Sequence, residues 1–202
     1  MSEEKTLYKL FPEPVFKYKL QDYEKHNKDL EKYIYNLYEQ DNIGVQRSNV
    51  NGWHSKSFNI TDTNSPAHAF FKETRKYVIE VFKVQGWKYV PEKVRLTEMW
   101  AIINKKDNLN TAHTHPNNYL SAAYYVKAPK NCGSIKFINP NSVKKERYPK
   151  LEGATEFNQS GVEIEPKEGD LLIFPAYLSH GVNRNESGED RIVISFNIDI
   201  LR

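Results

Sequence analysis

The sequence predicts a mainly β protein, a sandwich or jelly roll with helices covering one of its sheets. In the second half of the 202 residues, short apolar runs recur between Gly, Pro and Asn breaks, as strands do in such folds. In the first half, apolar residues recur at helical spacing instead. We therefore expect a single domain over residues 1–202, with a helical N-terminal support region over 1–92 and a β core over 93–202.

Two helices are predicted in the first half. The first covers residues 22–40, and its apolar positions are Tyr23, Leu30, Tyr33, Ile34 and Leu37. The second begins after Ser65, which can cap it, with Pro66 at the first helical position. Its apolar stripe is formed by Phe70, Thr74, Val78 and Val81. The stretch "NGWHS" at 51–55 lies between the helices and is expected to be turn-rich, with His54 capping a turn or contacting a substrate.

Six strands are predicted in the second half. They cover residues 94–104, 119–126, 134–138, 161–165, 170–175 and 191–200. Residues 139–160 have poor periodicity and are long for a connection within a compact fold, which predicts a lid or rim loop.

The last strand carries the most information. Its alternate residues Ile192, Ile194, Phe196, Ile198 and Ile200 share one face, and Arg191 and Ser195 share the other. If the apolar face packs under the helices, the arginine and the serine point into the interior together. A buried arginine is costly unless it holds an anion. The alternative is an edge strand with a solvated polar face.

Three histidines form a candidate metal site. His113 and His115 in "HTH" would lie on one face of an extended strand, although histidine pairs also occur on ordinary solvated strands. His180 follows the buried run "GDLLIFP" and a short loop. Together they make a ligand set of one close pair and one distant single residue.

These motifs carry a resemblance. The order "HTHP", "LSAAYYV", "GDLLIFPAYLSHGV" and "RIVISFNI" resembles the iron(II)- and 2-oxoglutarate-dependent oxygenase superfamily. It is similar in particular to a branch of small oxygenases from phages and marine bacteria, as are "LFPEPVF" and "NGWHS". The resemblance implies a prolyl-hydroxylase-like double-stranded β-helix (jelly roll, cupin-like). It also implies Fe(II) and 2-oxoglutarate as cofactors, O2 as co-reactant, and hydroxylation of an unidentified peptidyl residue or small metabolite.

The resemblance also implies roles for individual residues. His113 and His180 match the family's two histidine ligands, and His115 stands where the family has a carboxylate. Arg191 matches the basic residue that pairs with the far carboxylate of 2-oxoglutarate, and Ser195 and Tyr125 match hydroxyl residues that bond it. We add Asn104, on the strand before the histidines, as a candidate for the co-substrate pocket. Trp100 on the same strand is a candidate for that pocket or, more simply, for the core.

Histidine at position 115 leaves three explanations. The first, which we favour, is a genuine three-histidine site. The second is a shift of register, which would make His115 the first ligand and put Asn117 at the carboxylate position. The third is a branch that has lost activity.

Two rival functions remain open on the sequence: a cupin-like, three-histidine oxygenase that does not use 2-oxoglutarate, and a non-catalytic β-sandwich module.

The composition argues against a nucleic-acid-binding protein and a membrane protein. The net charge of +3 with interleaved acids and bases indicates no nucleic-acid partner. No apolar run approaches a membrane span or a secretory signal, and Cys132 is the only cysteine. We expect a cytoplasmic protein (in the host cytoplasm if phage-encoded). A homodimer is compatible with the sequence, which does not determine the oligomeric state.

Overall fold

A computed structural model describes residues 6–141, 143 and 149–201. Over these residues the chain forms two facing β-sheets and two long helices. The helices are α1 (Tyr23–Gln40) and α2 (Pro66–Val84), and a 3-10 turn covers Pro91–Lys93. The strands are β1 (Phe16–Lys19), β2 (Asn49–Val50), β3 (Trp53–His54), β4 (Val94–Asn104), β5 (Leu109–His113), β6 (Leu120–Lys127), β7 (Ile135–Ile138), β8 (Gly161–Ile164), β9 (Asp170–Pro175), β10 (His180–Val182) and β11 (Arg191–Ile200).

The strands divide into a larger and a smaller sheet. The larger sheet has the order β1-β9-β6-β11-β4-β3, and the smaller one has the order β2-β5-β10-β7-β8. Every pairing is antiparallel, and β11 lies at the centre of the larger sheet between β4 and β6. Neighbours that are distant in sequence, such as β5 and β10, are typical of a jelly roll. The predicted mainly β fold with flanking helices is confirmed.

Three predicted strands have the bounds that the sequence indicates, since β4, β9 and β11 match the predicted residues. Four shorter strands were missed: β1, β2, β3 and β10. Each has two to four residues, too few for an alternating pattern to be visible. The strand expected at "HTH" is β5, which ends at His113 and does not include His115. The first 92 residues therefore contribute three strands to the sheets in addition to the predicted helices. The turn expected at "NGWHS" contains β3, in which His54 pairs with Ile102.

The two helices begin differently. The hydroxyl of Ser65 accepts a hydrogen bond from the backbone N–H of Ala67, and Pro66 occupies the first turn of α2, as predicted. α1 begins after Asp22, which has a left-handed backbone conformation and forms no side-chain cap. Neither helix combines the length and the apolar composition that crossing a bilayer requires.

The main core lies between the helices and the outer face of the larger sheet. The apolar face of β11 is buried there, against side chains such as Phe70 and Val78 of α2 and Leu30 and Ile34 of α1. The buried residues that β11 contributes are Ile192, Ile194, Phe196 and Ile198. A second, smaller core fills part of the space between the sheets. Because the side chains of a strand alternate, the other face of β11 must point between the two sheets. The predicted orientation of Arg191 and Ser195 follows from this packing.

The segment predicted as a lid or rim loop is described only in part. Residues 142 and 144–148 lie outside the described residues, so the expectation of a lid stays a prediction. The described remainder lies between β7 and β8, where the backbone of Asn139 bonds that of Ser160 at 2.9 Å.

One buried hydrogen-bond relay connects α1 to the sheet, and it yields a stability prediction. The Tyr124 hydroxyl donates to the Asn27 side chain at 2.6 Å, and the Asn27 amide donates to the Val126 carbonyl at 2.7 Å. Tyr124→Phe would leave the Asn27 oxygen without its donor in a buried site. We expect it to lower the free energy of unfolding by about 1–3 kcal/mol, measured by urea denaturation. Tyr119→Phe, at an exposed position, is the matched control. A loss for Tyr124→Phe no larger than that of the control would contradict the relay.

Candidate active site

Three imidazoles meet where the smaller sheet faces the larger one. β5 and β10 are paired so that His113 and His180 lie opposite each other, and His115 follows two residues after His113. One nitrogen of each ring lies within 4.8 Å of one nitrogen of the other two. The structure thus brings together the three histidines that the sequence analysis singled out, although the close pair comes from a strand end and the residues after it.

Two of the three rings are oriented by the backbone. The Nδ1 of His113 lies 2.8 Å from the carbonyl of Thr111, and the Nδ1 of His180 lies 2.9 Å from the carbonyl of Leu178. A proton on Nδ1 satisfies each of these bonds and leaves Nε2 with a free lone pair, as in metal-binding histidines. The Nε2 atoms of His115 and His180 are 3.4 Å apart. Two nitrogens that bind one metal at roughly 2.0–2.2 Å are separated by about this distance.

All three imidazoles are held neutral. Burial lowers the pKa of His113. Burial and the neighbouring imidazoles lower the pKa of His115 to about 3, and burial and His113 lower that of His180 to about 4. Neutral imidazole is the form that binds a metal ion. The ligand set therefore adds no negative charge, and a bound divalent cation would keep its full charge.

His115, rather than Asn117, belongs to this cluster. Asn117 is exposed, has a left-handed backbone conformation with φ of 65°, and is absent from the residues lining the cavity. The geometry thus favours a three-histidine site over a shifted register. Among the described residues, no Asp or Glu joins the cluster.

Arg191 lies in the same cavity and is only 1% exposed. One of its terminal nitrogens donates to the carbonyls of Cys132, Gly133 and Asn183 at 2.7, 3.1 and 3.4 Å. Its Nε has no partner among the described residues, and none of their carboxylates forms an ion pair with it. Carbonyl dipoles orient this cation without neutralising it, so the residues present fit a ligand that brings its own carboxylate.

The loop that supplies two of those carbonyls depends on a glycine. Gly133 has φ of +88°, and a Cβ there would lie 2.3 Å from the carbonyl oxygen of Asn183. Only glycine adopts this conformation at little cost and permits this approach. The close contact keeps the Cys132–Gly133 turn against the residues that follow β10, and the guanidinium of Arg191 bonds the carbonyls of both segments.

Two hydroxyl side chains that the sequence analysis named also line this cavity, Tyr125 on β6 and Ser195 on β11. Burial raises the pKa of Tyr125, so its hydroxyl stays protonated and can donate a hydrogen bond to a carboxylate. Asn104 is placed differently. Its amide donates to the side chain of Asn110 at 3.1 Å, and Asn110, not Asn104, lines the cavity. Asn104 thus lies behind the cavity wall, because Asn110 of β5 covers it.

Trp100 and His54 are the residues whose position the sequence left open. Both line the cavity, and neither is exposed by more than 9%. Trp100 also belongs to the cavity wall rather than to the main core. The expectation of a turn cap for His54 is wrong, because its ring stacks on Trp100 from within β3. Recognising that β3 pairs with β4 would have placed His54 beside Trp100. A strand of two residues is too short to be recognised in the sequence.

The cavity has a volume of about 600 Å³, within the range of roughly 300–1,000 Å³ that is usual for small-molecule sites. Its wall formed by Arg191, Tyr125 and Val193 is buried. The lining is otherwise a mixture of apolar and polar side chains, and the exposed charged ones among them are Arg47, Lys56 and Glu98. The space therefore suits a carboxylate ligand at the buried arginine with a second molecule beside it.

The jelly roll holds three converging histidines and a buried arginine that has no carboxylate partner among the described residues. This combination defines a class: mononuclear metalloenzymes with an anionic co-substrate. The family profile described as "Putative 2OG-Fe(II) oxygenase" matches residues 98–197, which include all three histidines, Arg191 and Ser195. Residues 98–197 thus match a family of iron(II)- and 2-oxoglutarate-dependent oxygenases, and the resemblance to that superfamily seen in the sequence is confirmed. Comparison with functionally curated proteins finds no match.

Solved structures share the fold. A prolyl-4-hydroxylase from Pseudomonas putida superposes with a TM-score of 0.67 at 8% identity, covering 94% of both chains. A prolyl hydroxylase from Trichoplax adhaerens, in complex with a hypoxia inducible factor peptide fragment, gives 0.65 at 12% identity over 92% of this chain and 83% of the other. HygX from Streptomyces hygroscopicus, with nickel and 2-oxoglutarate bound, gives 0.62 at 15% identity over 93% and 83%. At such low identities these likenesses establish the fold.

Two variants distinguish His115 as the third metal ligand from the shifted register, in which Asn117 takes the carboxylate position. His115→Ala removes one of three nitrogens and should weaken Co(II) binding at least tenfold, measured by anaerobic calorimetry. Asn117→Gly keeps the left-handed backbone and removes the amide, so it should leave the affinity within twofold. The reverse pattern, with Asn117→Gly weakening binding and His115→Ala not, would restore the shifted register.

Proposed function

We propose that this protein hydroxylates an unactivated C–H bond of a polar substrate, with iron(II) held by His113, His115 and His180, and 2-oxoglutarate held by Arg191, Ser195 and Tyr125. One observation carries the proposal: the three converging imidazoles and the buried, unneutralised guanidinium line one and the same cavity. When bound, iron and 2-oxoglutarate supply the oxidising chemistry, in which one atom of O2 enters the C–H bond and the other enters the succinate formed with CO2.

The histidines fix the metal's position through the smaller sheet. Because Thr111 and Leu178 orient the rings of His113 and His180 through Nδ1, their Nε2 atoms face a common point before any metal arrives. Three histidines would hold iron(II) and would leave further coordination positions for the co-substrate and O2. Because no carboxylate among the described residues joins them, the site would be one unit more positive than a set of two histidines and one carboxylate, which favours an anionic co-substrate.

Arg191 anchors the far end of the co-substrate. Its position is set by the three carbonyls, so little side-chain entropy remains to be lost on binding. The carboxylate accepts charge-assisted hydrogen bonds from the guanidinium, and neutral hydroxyls of Ser195 and Tyr125 can donate to the remaining lone pairs. The low dielectric of the buried wall strengthens these bonds relative to water.

The charged side chains at the exposed part of the cavity indicate the substrate class. Arg47, Lys56 and Glu98 are exposed there and carry both signs of charge, so the substrate is expected to be polar rather than lipid-like. Proteins with this fold include a prolyl hydroxylase in complex with a peptide fragment and HygX with hygromycin B bound. Both a peptidyl side chain and a small polar metabolite are therefore consistent with the proposal.

The proposal also includes the location, partners and domain organisation of the protein. We propose that it is a cytoplasmic, single-domain protein without a nucleic-acid or membrane partner. Measurement of its molar mass in solution would show whether it forms a homodimer.

The arginine provides the decisive test. Arg191→Met should lower 2-oxoglutarate-dependent succinate formation about 100-fold or more, because at least two charge-assisted hydrogen bonds are lost. Co(II) affinity should be retained. Succinate formed without substrate, from co-substrate turnover alone, is the measurement, and Arg75→Met on the exposed surface of α2 is the control.

Unchanged turnover in Arg191→Met would favour an oxygenase that does not use 2-oxoglutarate. Wild-type protein that binds no iron and forms no succinate would favour a non-catalytic module. Circular dichroism of each variant verifies that the fold is intact.

Ser195 should contribute less than Arg191. Ser195→Ala removes one hydrogen bond to a charged group, so we expect the KM for 2-oxoglutarate to rise about tenfold with little change in kcat. Ser160→Ala, at an exposed position, is the control. A fall in kcat without a rise in KM would contradict a role at the far carboxylate.

A further inference from the structure

The third ligand is held unlike the other two. Hydrogen bonds from backbone carbonyls orient His113 and His180, but among the described residues no hydrogen bond reaches the Nδ1 of His115. His115 also lies outside β5, in a segment whose next two residues are exposed. Some other contact must keep its ring in the cluster.

The ring contacts of His115 are aromatic. The ring of Trp100 is stacked on His115, with centroids 5.8 Å apart and planes inclined by 24°, and on the side of the cluster the ring of His180 is stacked on it at 5.2 Å and 9°. Trp100 is also stacked on His54, at 5.4 Å and 10°. The His54 ring is in turn fixed through its Nδ1, which lies 2.7 Å from the carbonyl of Ser55.

The strands keep this stack rigid. Trp100 lies within β4, opposite Ser195 of the central strand β11. Pairing of β3 with β4 holds His54 beside it, and the hydroxyl of Ser55 accepts from the backbone N–H of Ala101 at 2.9 Å. The indole is 7% exposed and its N–H has no partner among the described residues, so the ring is held by packing rather than by its polar atom.

We propose that Trp100 is a positioning residue that holds His115 as the third metal ligand, and that His54 supports Trp100 in this role. The inference rests on the proposed role of His115. A metal-bound imidazole is electron-poor, and the indole face is electron-rich, so the stack strengthens when the metal binds. A carboxylate at position 115 could not be held in this way. The stack would thus orient a ligand whose Nδ1 has no hydrogen-bonding partner in the described part of the chain.

The test is a double-mutant cycle with Co(II) alone as the probe, under anaerobic conditions. Trp100→Leu should weaken Co(II) binding about tenfold, as is usual when a group that orients a ligand is lost. Trp100→Phe keeps a ring and should lose less. In the His115→Ala background, Trp100→Leu should change the affinity by less than twofold. Trp87→Leu removes an indole that packs on Phe82 and Tyr119 outside the cavity, and it should leave the affinity within twofold.

Two outcomes overturn the inference. Either Trp100→Leu binds Co(II) like the wild type, or its loss of affinity persists without His115. Wild-type protein that binds no Co(II) overturns the proposed metal site as well, which distinguishes the two failures.

If Trp100→Leu does not fold, Trp100→Met, which is longer and also ring-free, replaces it in the same cycle. Zn(II) titration of the wild type gives an independent readout by NMR. The indole N–H signal of Trp100, assigned with Trp100→Phe, should shift more than those of Trp53 and Trp87. An unmoved Trp100 signal under saturating Zn(II) also overturns the inference.

Discussion

The central strand β11 has one face in the main core and the other in the cavity between the sheets, and the positions of both the helices and the arginine depend on it. Its apolar face is covered by α1 and α2, and its other face carries Arg191 and Ser195 between the sheets. The period of two in a strand makes these placements inseparable. Burial of the isoleucine face, worth roughly 1.5–3 kcal/mol for each side chain, therefore also drives a guanidinium into the interior, where a dicarboxylate can neutralise it.

What the sequence predicted follows from the same periodicity. The bounds of long strands with regular alternation, such as β4 and β11, could be predicted from the sequence. The assignment of the β11 side chains to its two faces followed from the residues of that strand alone. The short strands β5 and β10 lack that pattern, so the register that brings His113 opposite His180 was not visible. The site residues could be named because the family's motifs identify them. Their distances could not, because these depend on pairings between segments distant in the chain.

The two side chains that the sequence placed least well differ for a related reason. Asn104 is on the strand face that points toward the cavity, but Asn110 covers it through a contact between β4 and β5. Trp100 was assigned more simply to the core, yet it lines the cavity and joins His54 and His115 in one stack. Alternation tells which face a residue occupies. It does not tell what the opposite sheet places in front of it.

The turn at Gly133 has a consequence for how this protein can lose its function. Any side chain at that position would push apart the Cys132 and Asn183 segments whose carbonyls hold Arg191. A gene copy with such a change would still encode both sheets and all three imidazoles, yet its anchor for the dicarboxylate would be displaced. Inactivation during divergence can therefore begin at a residue that touches neither cofactor, and an intact set of metal ligands in a homologue is not sufficient to infer that it still turns over 2-oxoglutarate.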